Sequence, residues 1–463
     1  MKIISKTFKL LTVFLLVLGI TGCSDDDDNA IVLPVTTVID VAAANGLTSL
    51  AAALEATNLL NTVDQASSVT VFAPDNDAFT ALLTATGIDL ASMTPDEEEI
   101  VTNILLNHVI FGTTIQAETL ISAGSGYAST SSPGPIDNTT LSLYYNVVDG
   151  VVELNGGSDN TGGSDVTNPN LNASNGVVHV IDAVLALPDV VDHALNNDNF
   201  TSLTASLVAE DLVGLLQEEG PYTVFAPTNT AFNSFSNPND SALASILANH
   251  VMNGVTLASD LVSAGSGYGK TLANGPMDLN MNPTNLSLYY DTADGVIING
   301  GPEVTVTDVV GTNGVIHVVD AVIDLPTVVT FALANTNFST LVQALTELTP
   351  SVDFVSVLST PNGTSPAPFT VFAPTNDAFD AISVPAEEGL IPVLQHHVVA
   401  GLNAVSGDLT PNGDTPLPTL EGDPITITLP GTSPNIADVT DGSGNTDAGI
   451  IEVDVQASNG VIH

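Results

Sequence analysis

Six of the eight histidines recur at two positions of a repeating pattern. His108, His250 and His397 close the apolar stretches ILLNHVI, ILANHVM and VLQHHVV; His179 and His317 stand in SNGVVHVIDAVLALP and TNGVIHVVDAVIDLP, and His463 ends a third copy, SNGVIH. One histidine of each class, joined by Asp182 or Asp320, would give two imidazoles and a carboxylate, a donor set suited to zinc or iron. The period of a strand opposes that grouping, because His179 shares a face with Val177, Ile181 and Ala183 while Asp182 points to the other. A histidine on an apolar face reads as a core residue whose ring nitrogens are taken up by neighbours, so a structural motif is the expectation for all six.

Two other stretches have residue types at chemically suggestive spacing. Asp441, Asn445, Asp447 and Glu452 match positions one, five, seven and twelve of a calcium loop; the glycine at six is missing and the flanks are strand-like, so a hairpin loop is the competing reading. Calcium there is the one cofactor the sequence suggests. Ala264-Gly-Ser-Gly-Tyr-Gly-Lys270-Thr271 fits a relaxed phosphate-loop pattern. The following LANGPMDLNMNP, however, would break the helix such a loop must open. No GxSxG is present, and Lys270 in a glycine-rich loop is a poor Schiff-base nucleophile, so no catalytic residue is expected and the chain reads as a non-enzyme.

The N-terminus supplies an address. Lys2, Lys6 and Lys9 precede an apolar run from Leu10 to Ile20, about half of the roughly 20 residues that a membrane span needs. Residues 1–23 read as a signal peptide. Its end, Ile20-Thr21-Gly22-Cys23, resembles a lipobox, in which Cys23, the single cysteine, becomes the lipidated first residue. Residues 24–34 form an acidic linker; Ser24-Asp25-Asp26-Asp27-Asp28 resembles a tag that sends some bacterial lipoproteins to the outer cell face, and reads equally as a solvated spacer. The expected place is the outer membrane, facing the exterior, with the membrane met only through the lipid.

The formal charge of −48 comes from 52 acidic residues against four lysines and no arginine. Phosphate recognition depends on Lys and Arg, so nucleic acid is excluded as a partner. Carboxylates without basic partners must take hydrogen bonds from backbone, hydroxyl or imidazole groups, or bind a cation. Such a surface repels itself, most tolerably where salt screens it, and a saline habitat fits.

The elements that must position these residues come in three sets. TVFAP begins at Thr70, Thr223 and Thr370, and units divide after Pro188 and Pro326. SAGSGY, at 122 and 263, and LSLYY, at 141 and 286, occur only in the first two units, which are thus the closer pair. Unit openings such as DVVDHALNNDNFTSLTASL place apolar residues at helical spacing with Asn, Thr or Ser as caps. YTVFAPTNTAF predicts a strand, a proline turn and a helix capped by Thr228 or Asn229, and Asp377 suits a helix first turn. The second half of each unit is β-rich with Asp-Gly turns, and Asn-Gly at 175, 313 and 459 predicts a type I′ hairpin turn, making the histidine stretch the returning strand.

TVFAPTNDAF, the NHV segment and NGVIHVIDAVLALP-like strands, in this order and spacing, resemble the fasciclin (FAS1) domain, an extracellular adhesion module. The resemblance implies an α+β fold of tandem units, each a β-sandwich wedge flanked by short helices: domain 1 at 35–188, domain 2 at 189–326 and domain 3 at 327–463, the last read as C-terminally truncated because it stops at His463 before the VIDAVL half of its strand. It further implies an anchored protein binding extracellular matrix, polysaccharide or a cell-surface protein, with surface capture of a ligand or metal ion as the alternative. The family's proposed integrin contact pairs Tyr with His near the HV segment, and no Tyr adjoins His108, His250 or His397.

Overall fold

Each unit opens on a short helix whose first turn is closed by its own side chains. Thr37, Asp189 and Thr327 cap helices Val38–Ala44, Val190–Leu195 and Val328–Ala334, and Asp40, Asp192 and Thr330 return the bond; a cap of this kind is worth about 1 kcal/mol. The computed structural model describes residues 36–463 apart from 159, 161, 219 and 238–240, so the leader, Cys23 and the acidic linker lie outside the described residues.

In unit 1 the strands β1 (Val69–Pro74), β2 (Val109–Phe111), β3 (Gly126–Pro133), β4 (Thr140–Val148), β5 (Val151–Leu154), β6 (Ser164–Ala173) and β7 (Gly176–Ile181) line up in the order β2-β1-β7-β6-β5-β4-β3. The TVFAP strand β1 and the histidine-bearing β7 run parallel, from Val69 opposite Gly176 to Pro74 opposite Ile181. A strand covered on both faces needs apolar residues throughout, and β1 is buried along its length. Its alternation serves two cores. Val69, Val71 and Ala73 pack under the helices with Leu50, Leu54 and Leu105, while Phe72 faces into the wedge with Ile110, Leu143, Leu154 and Ile181.

Unit 2 repeats this architecture with its seam elsewhere. Val251–Asn253 and Ser266–Asn274, the counterparts of β2 and β3, pair directly at Met252 and Thr271. Unit 3 carries two four-stranded sheets, one centred on Phe369–Val371 and Gly460–Ile462 in parallel, the other running through Asp414–Pro418, Pro424–Thr428, Ala437–Thr440 and Ala448–Ile450.

The recurring Asn-Gly is not a hairpin turn, contrary to the sequence expectation. Ala173 pairs with Gly176, so the two-residue connection is Ser174–Asn175 and the glycine already belongs to the strand; units 2 and 3 repeat the register. None of the turn residues Ser174, Asn175, Thr312, Asn313, Ser458 and Asn459 has positive φ, which rules out type I′. The dipeptide is held by tertiary contacts instead. A Cβ on Gly176, Gly314 or Gly460 would run into the carbonyl oxygen of Val69, Tyr222 or Phe369 on the parallel neighbour. Each asparagine joins two helices: Asn313 Oδ1 accepts from Val190 N at 3.1 Å, and its Nδ2 donates to Leu216 O at 2.8 Å and Glu218 O at 2.9 Å, with Asn175 and Asn459 doing the same in their units. Asp149-Gly150 is the turn of the expected kind, with φ of 51° and 84° between paired Val148 and Val151.

Replacing Asn313 by Ala strands one buried N–H and two carbonyls at once. We expect a loss of about 2 kcal/mol or more in urea unfolding, against under about 0.5 kcal/mol for the exposed Asn233→Ala.

Candidate functional site

Both histidine classes are committed to backbone. In the first, Nδ1 reaches back one helical turn and Nε2 forward to the segment after the returning strand: His108 bonds Ile104 O at 2.7 Å and accepts from Leu185 N at 2.9 Å, and His250 bonds Ile246 O at 2.7 Å and Ile323 N at 2.9 Å. His397 keeps the helix bond, to Val393 O at 2.8 Å. In the second class Nε2 bonds a carbonyl, Ile115, Thr256 or Ala404, at 2.8–2.9 Å, and Nδ1 of His179, His317 and His463 accepts from Asn170, Asp308 and Asp454 N at 3.3 Å. These patterns assign Nδ1–H to the first class and Nε2–H to the second. A ring with both nitrogens so engaged has no lone pair left for a metal. Burial lowers the pKa of all six, to about 4 for His108 and His250. Phe72 stacks on His179 at 5.4 Å inside the wedge. Asp182 turns to Ser164 Oγ (2.8 Å) and Asp165 N (2.9 Å), and Asp320 to Glu303 N (2.8 Å).

Asp441, Asn445 and Asp447 lie on the connection between paired strands Ala437–Thr440 and Ala448–Ile450, with Glu452 just beyond. Asp441 Oδ1 closes its own turn by accepting from Ser443 N and Asn445 N at 2.9 and 2.8 Å. Asp447 and Glu452 are exposed. Among the described residues no three His, Cys, Asp or Glu side chains gather into a metal-holding group, so the four calcium candidates are not brought together. Carboxylates in general are met as the missing cations dictate: Asp189 by Val191 N and Asp192 N, Asp438 by Thr432 and Asn435. Among the described residues the one contact of ion-pair type is His396 with Glu421, at 3.6 Å.

The glycine-rich segment around Lys270 is a strand, Ser266–Asn274, where the sequence suggested a loop. It belongs to a feature the sequence reading missed, the contact between successive units. Tyr127 of SAGSGY accepts at its hydroxyl from Asn197 Nδ2 of unit 2 (3.0 Å) and meets His193 edge-on at 5.7 Å; Ser142 of LSLYY accepts at Oγ from Val310 N (3.0 Å). Unit 2 holds unit 3 in the same way: Asn335 Nδ2 to Tyr268 OH at 3.1 Å, Tyr268 edge-on to Phe331 at 5.6 Å, Gln456 N to Ser287 Oγ at 2.9 Å. The signal was visible as two motifs confined to the first two units, each of which has a unit after it. In unit 3 the strand position of Tyr127 and Tyr144 is filled by Pro416 and Thr426, beside exposed Pro418 and Pro424.

The junction of units 1 and 2 leaves an open cleft of about 510 Å³, whose lining includes Ser129, Ser142, Tyr127, Asn199 and Asp308. His193 sits behind it with Nε2 bonded to Val310 O at 3.1 Å and with no partner for its buried Nδ1 among the described residues; burial pulls its pKa down to about 4.

The family model described as Fasciclin domain matches residues 45–188, 198–326 and 336–463. Periostin of Homo sapiens is 25% identical over 400 residues, covering 83% of this chain and 42% of periostin, so the chain spans about two-fifths of that relative's length. Protein sll1483 of Synechocystis is 36% identical over 143 residues, 29% of this chain and 72% of that protein. A solved FAS1 domain pair from the insect cell adhesion molecule Fasciclin I aligns with 61% of this chain and 97% of its own, at 21% identity and a TM-score of 0.37.

His193 is neutral when folded and titrates near 4, against 6.5 for the ordinary side chain. The unfolded chain therefore binds more protons between those values, and stability present above pH 6.5 is lost as pH falls toward 4, by up to about 3 kcal/mol for such a group. His193→Phe, which copies the residue at the second junction, should reduce the slope of unfolding free energy between pH 6.5 and 4.5, with the remainder left to the other buried histidines; an unchanged slope would remove His193 from the account.

Proposed function

From a chain that belongs to the fasciclin-domain family, with three of its domains end to end, we propose an adhesion protein of the bacterial cell surface that grips extracellular polysaccharide or a protein of a neighbouring cell. The observation that carries this reading is the repeated docking, in which a Tyr–Asn and a Ser–amide bond fix each unit on the next. Units held at a set spacing allow weak contacts on one tether to act together, a gain of about 10² to 10⁴ over one contact where geometry permits. In this proposal Cys23 bears the lipid that anchors the chain to the outer membrane, with the array facing outward, and two or more acyl chains make the anchoring stable. We assign it no catalysis: the repeated histidines are bonded to backbone, and Lys270 is bonded to a carbonyl. Capture of a soluble ligand is the second reading, favoured by the cleft between units 1 and 2.

The test is binding of the chain, displayed on beads, to whole cells and to insoluble polysaccharides, with and without EDTA. Retention on either surface is the expected outcome, and loss with chelator would mark bridging by divalent cations. No retention on any surface would leave capture as the better account. In cells, Cys23→Ala should move the chain from the membrane fraction to the soluble fraction.

A further inference from the structure

The two junctions share their Tyr–Asn and Ser–amide bonds and differ at a side chain that crosses from one unit to the next. Ser129 of unit 1 and Lys270 of unit 2 hold the same register, opposite Ser142 and Ser287 in their ladders. Asp308 and Asp454 are likewise the same position in the unit that follows, each at positive φ (57° and 62°) with its N–H on the Nδ1 of the repeated histidine. At the junction of units 2 and 3 the Lys270 ammonium crosses to its neighbour: Nζ donates to Asp454 O at 2.6 Å, Ser287 Oγ at 3.1 Å and Asn285 O at 3.5 Å. These are neutral oxygen acceptors arranged around one primary ammonium, and Lys270 is the sole lysine beyond the leader.

At the junction of units 1 and 2 the same acceptor positions recur as Asp308, Ser142 and Thr140, but the residue that would supply the ammonium is Ser129. What stands there is the cleft of about 510 Å³, with Ser129, Ser142 and Asp308 all in its lining and Tyr127, Asn199 and Thr307 around them. The volume lies in the range of small-ligand sites, which favour the boundaries between domains. We propose that this cleft binds a small ligand bearing a primary ammonium, of the amino-sugar class, seated where the second junction seats its own lysine. An ammonium has three donors and no acceptor, which matches a site made of carbonyl and hydroxyl oxygens, and a chain so poor in cations offers no internal competitor. The Asp308 carboxylate is engaged within its own unit, with Oδ1 accepting from Ala258 N at 2.9 Å. The hydroxyl and amide groups of Tyr127, Thr307 and Asn199 supply partners for sugar hydroxyls. None of this depends on the chain adhering to a surface.

The experiment is calorimetric titration of the chain in about 0.15 M salt, where the Debye length is about 8 Å and diffuse attraction to the acidic surface is screened, with glucosamine, N-acetylglucosamine and ethylamine. Glucosamine and ethylamine should fill one site, and N-acetylglucosamine, whose amide removes the charge, should not. Ser129→Lys places the second junction's ammonium in the first and should weaken glucosamine binding on the order of tenfold or more, the worth of one charge-assisted hydrogen bond, with an unchanged or higher melting temperature. Lys270→Ser should open a second site and raise the stoichiometry to two. Because Lys270→Ser also removes a junction contact, a fall in its melting temperature shifts the decision to Ser129→Lys alone. Equal binding of N-acetylglucosamine, or glucosamine binding indifferent to Ser129→Lys, would overturn the proposal.

Discussion

The returning strand of each unit, β7 and its counterparts, can be placed only where glycine lets two backbones meet. Bonded in parallel to the TVFAP strand on one edge and antiparallel to its hairpin partner on the other, it carries at its start a glycine that brings it against a carbonyl oxygen of its neighbour. One residue earlier, asparagine reaches into the helical layer; three residues later, histidine reaches into the wedge. Buried polar groups cost little only when every donor and acceptor is paired. Asn, Gly and His at fixed spacing therefore behave as one device, with the side chains satisfying backbone groups at helix ends and loop entries that no ladder reaches. This accounts for a histidine-bearing apolar stretch appearing in triplicate without any chemistry at the imidazole.

The scarcity of cations shapes the rest of the molecule. With a single lysine among the described residues, carboxylates are drawn to amide and hydroxyl donors at turns and helix starts, and the bonds common to both junctions are made from neutral groups, a phenol, a carboxamide, a serine hydroxyl and a backbone amide, with the Lys270 ammonium added at the second. Neutral hydrogen bonds are insensitive to the ionic strength that screens surface charge. The bonds that both junctions share are thus kept at ionic strengths that screen the acidic surface.

Much of the fold could be read from the residues. The three TVFAP strands, the helix start at Thr228 and the histidine stretch as a returning strand follow from apolar runs, cap residues and period alone. Asn229 could not be assigned so simply, because its side chain bonds Ser202 N and Asp198 O of another helical segment. Asn-Gly misled for the same reason: local turn statistics describe two residues, whereas Asn175 and Gly176 are held by partners more than a hundred positions away. The junctions were invisible because a tyrosine that faces a following unit has the same alternation as one that faces solvent. The distribution of SAGSGY and LSLYY, two copies for three units, carried the information, and it needed a partner surface to be understood.

Unit 3 turns a different outer sheet surface to solvent, with Pro416, Pro418 and Pro424 along the strands where the other units offer tyrosine and serine. Proline has no amide hydrogen to donate and adds a rigid ring where a neighbour's asparagine would have to approach. The outer face of unit 3 therefore cannot offer, at these positions, the tyrosine and serine bonds by which units 1 and 2 each hold the unit that follows.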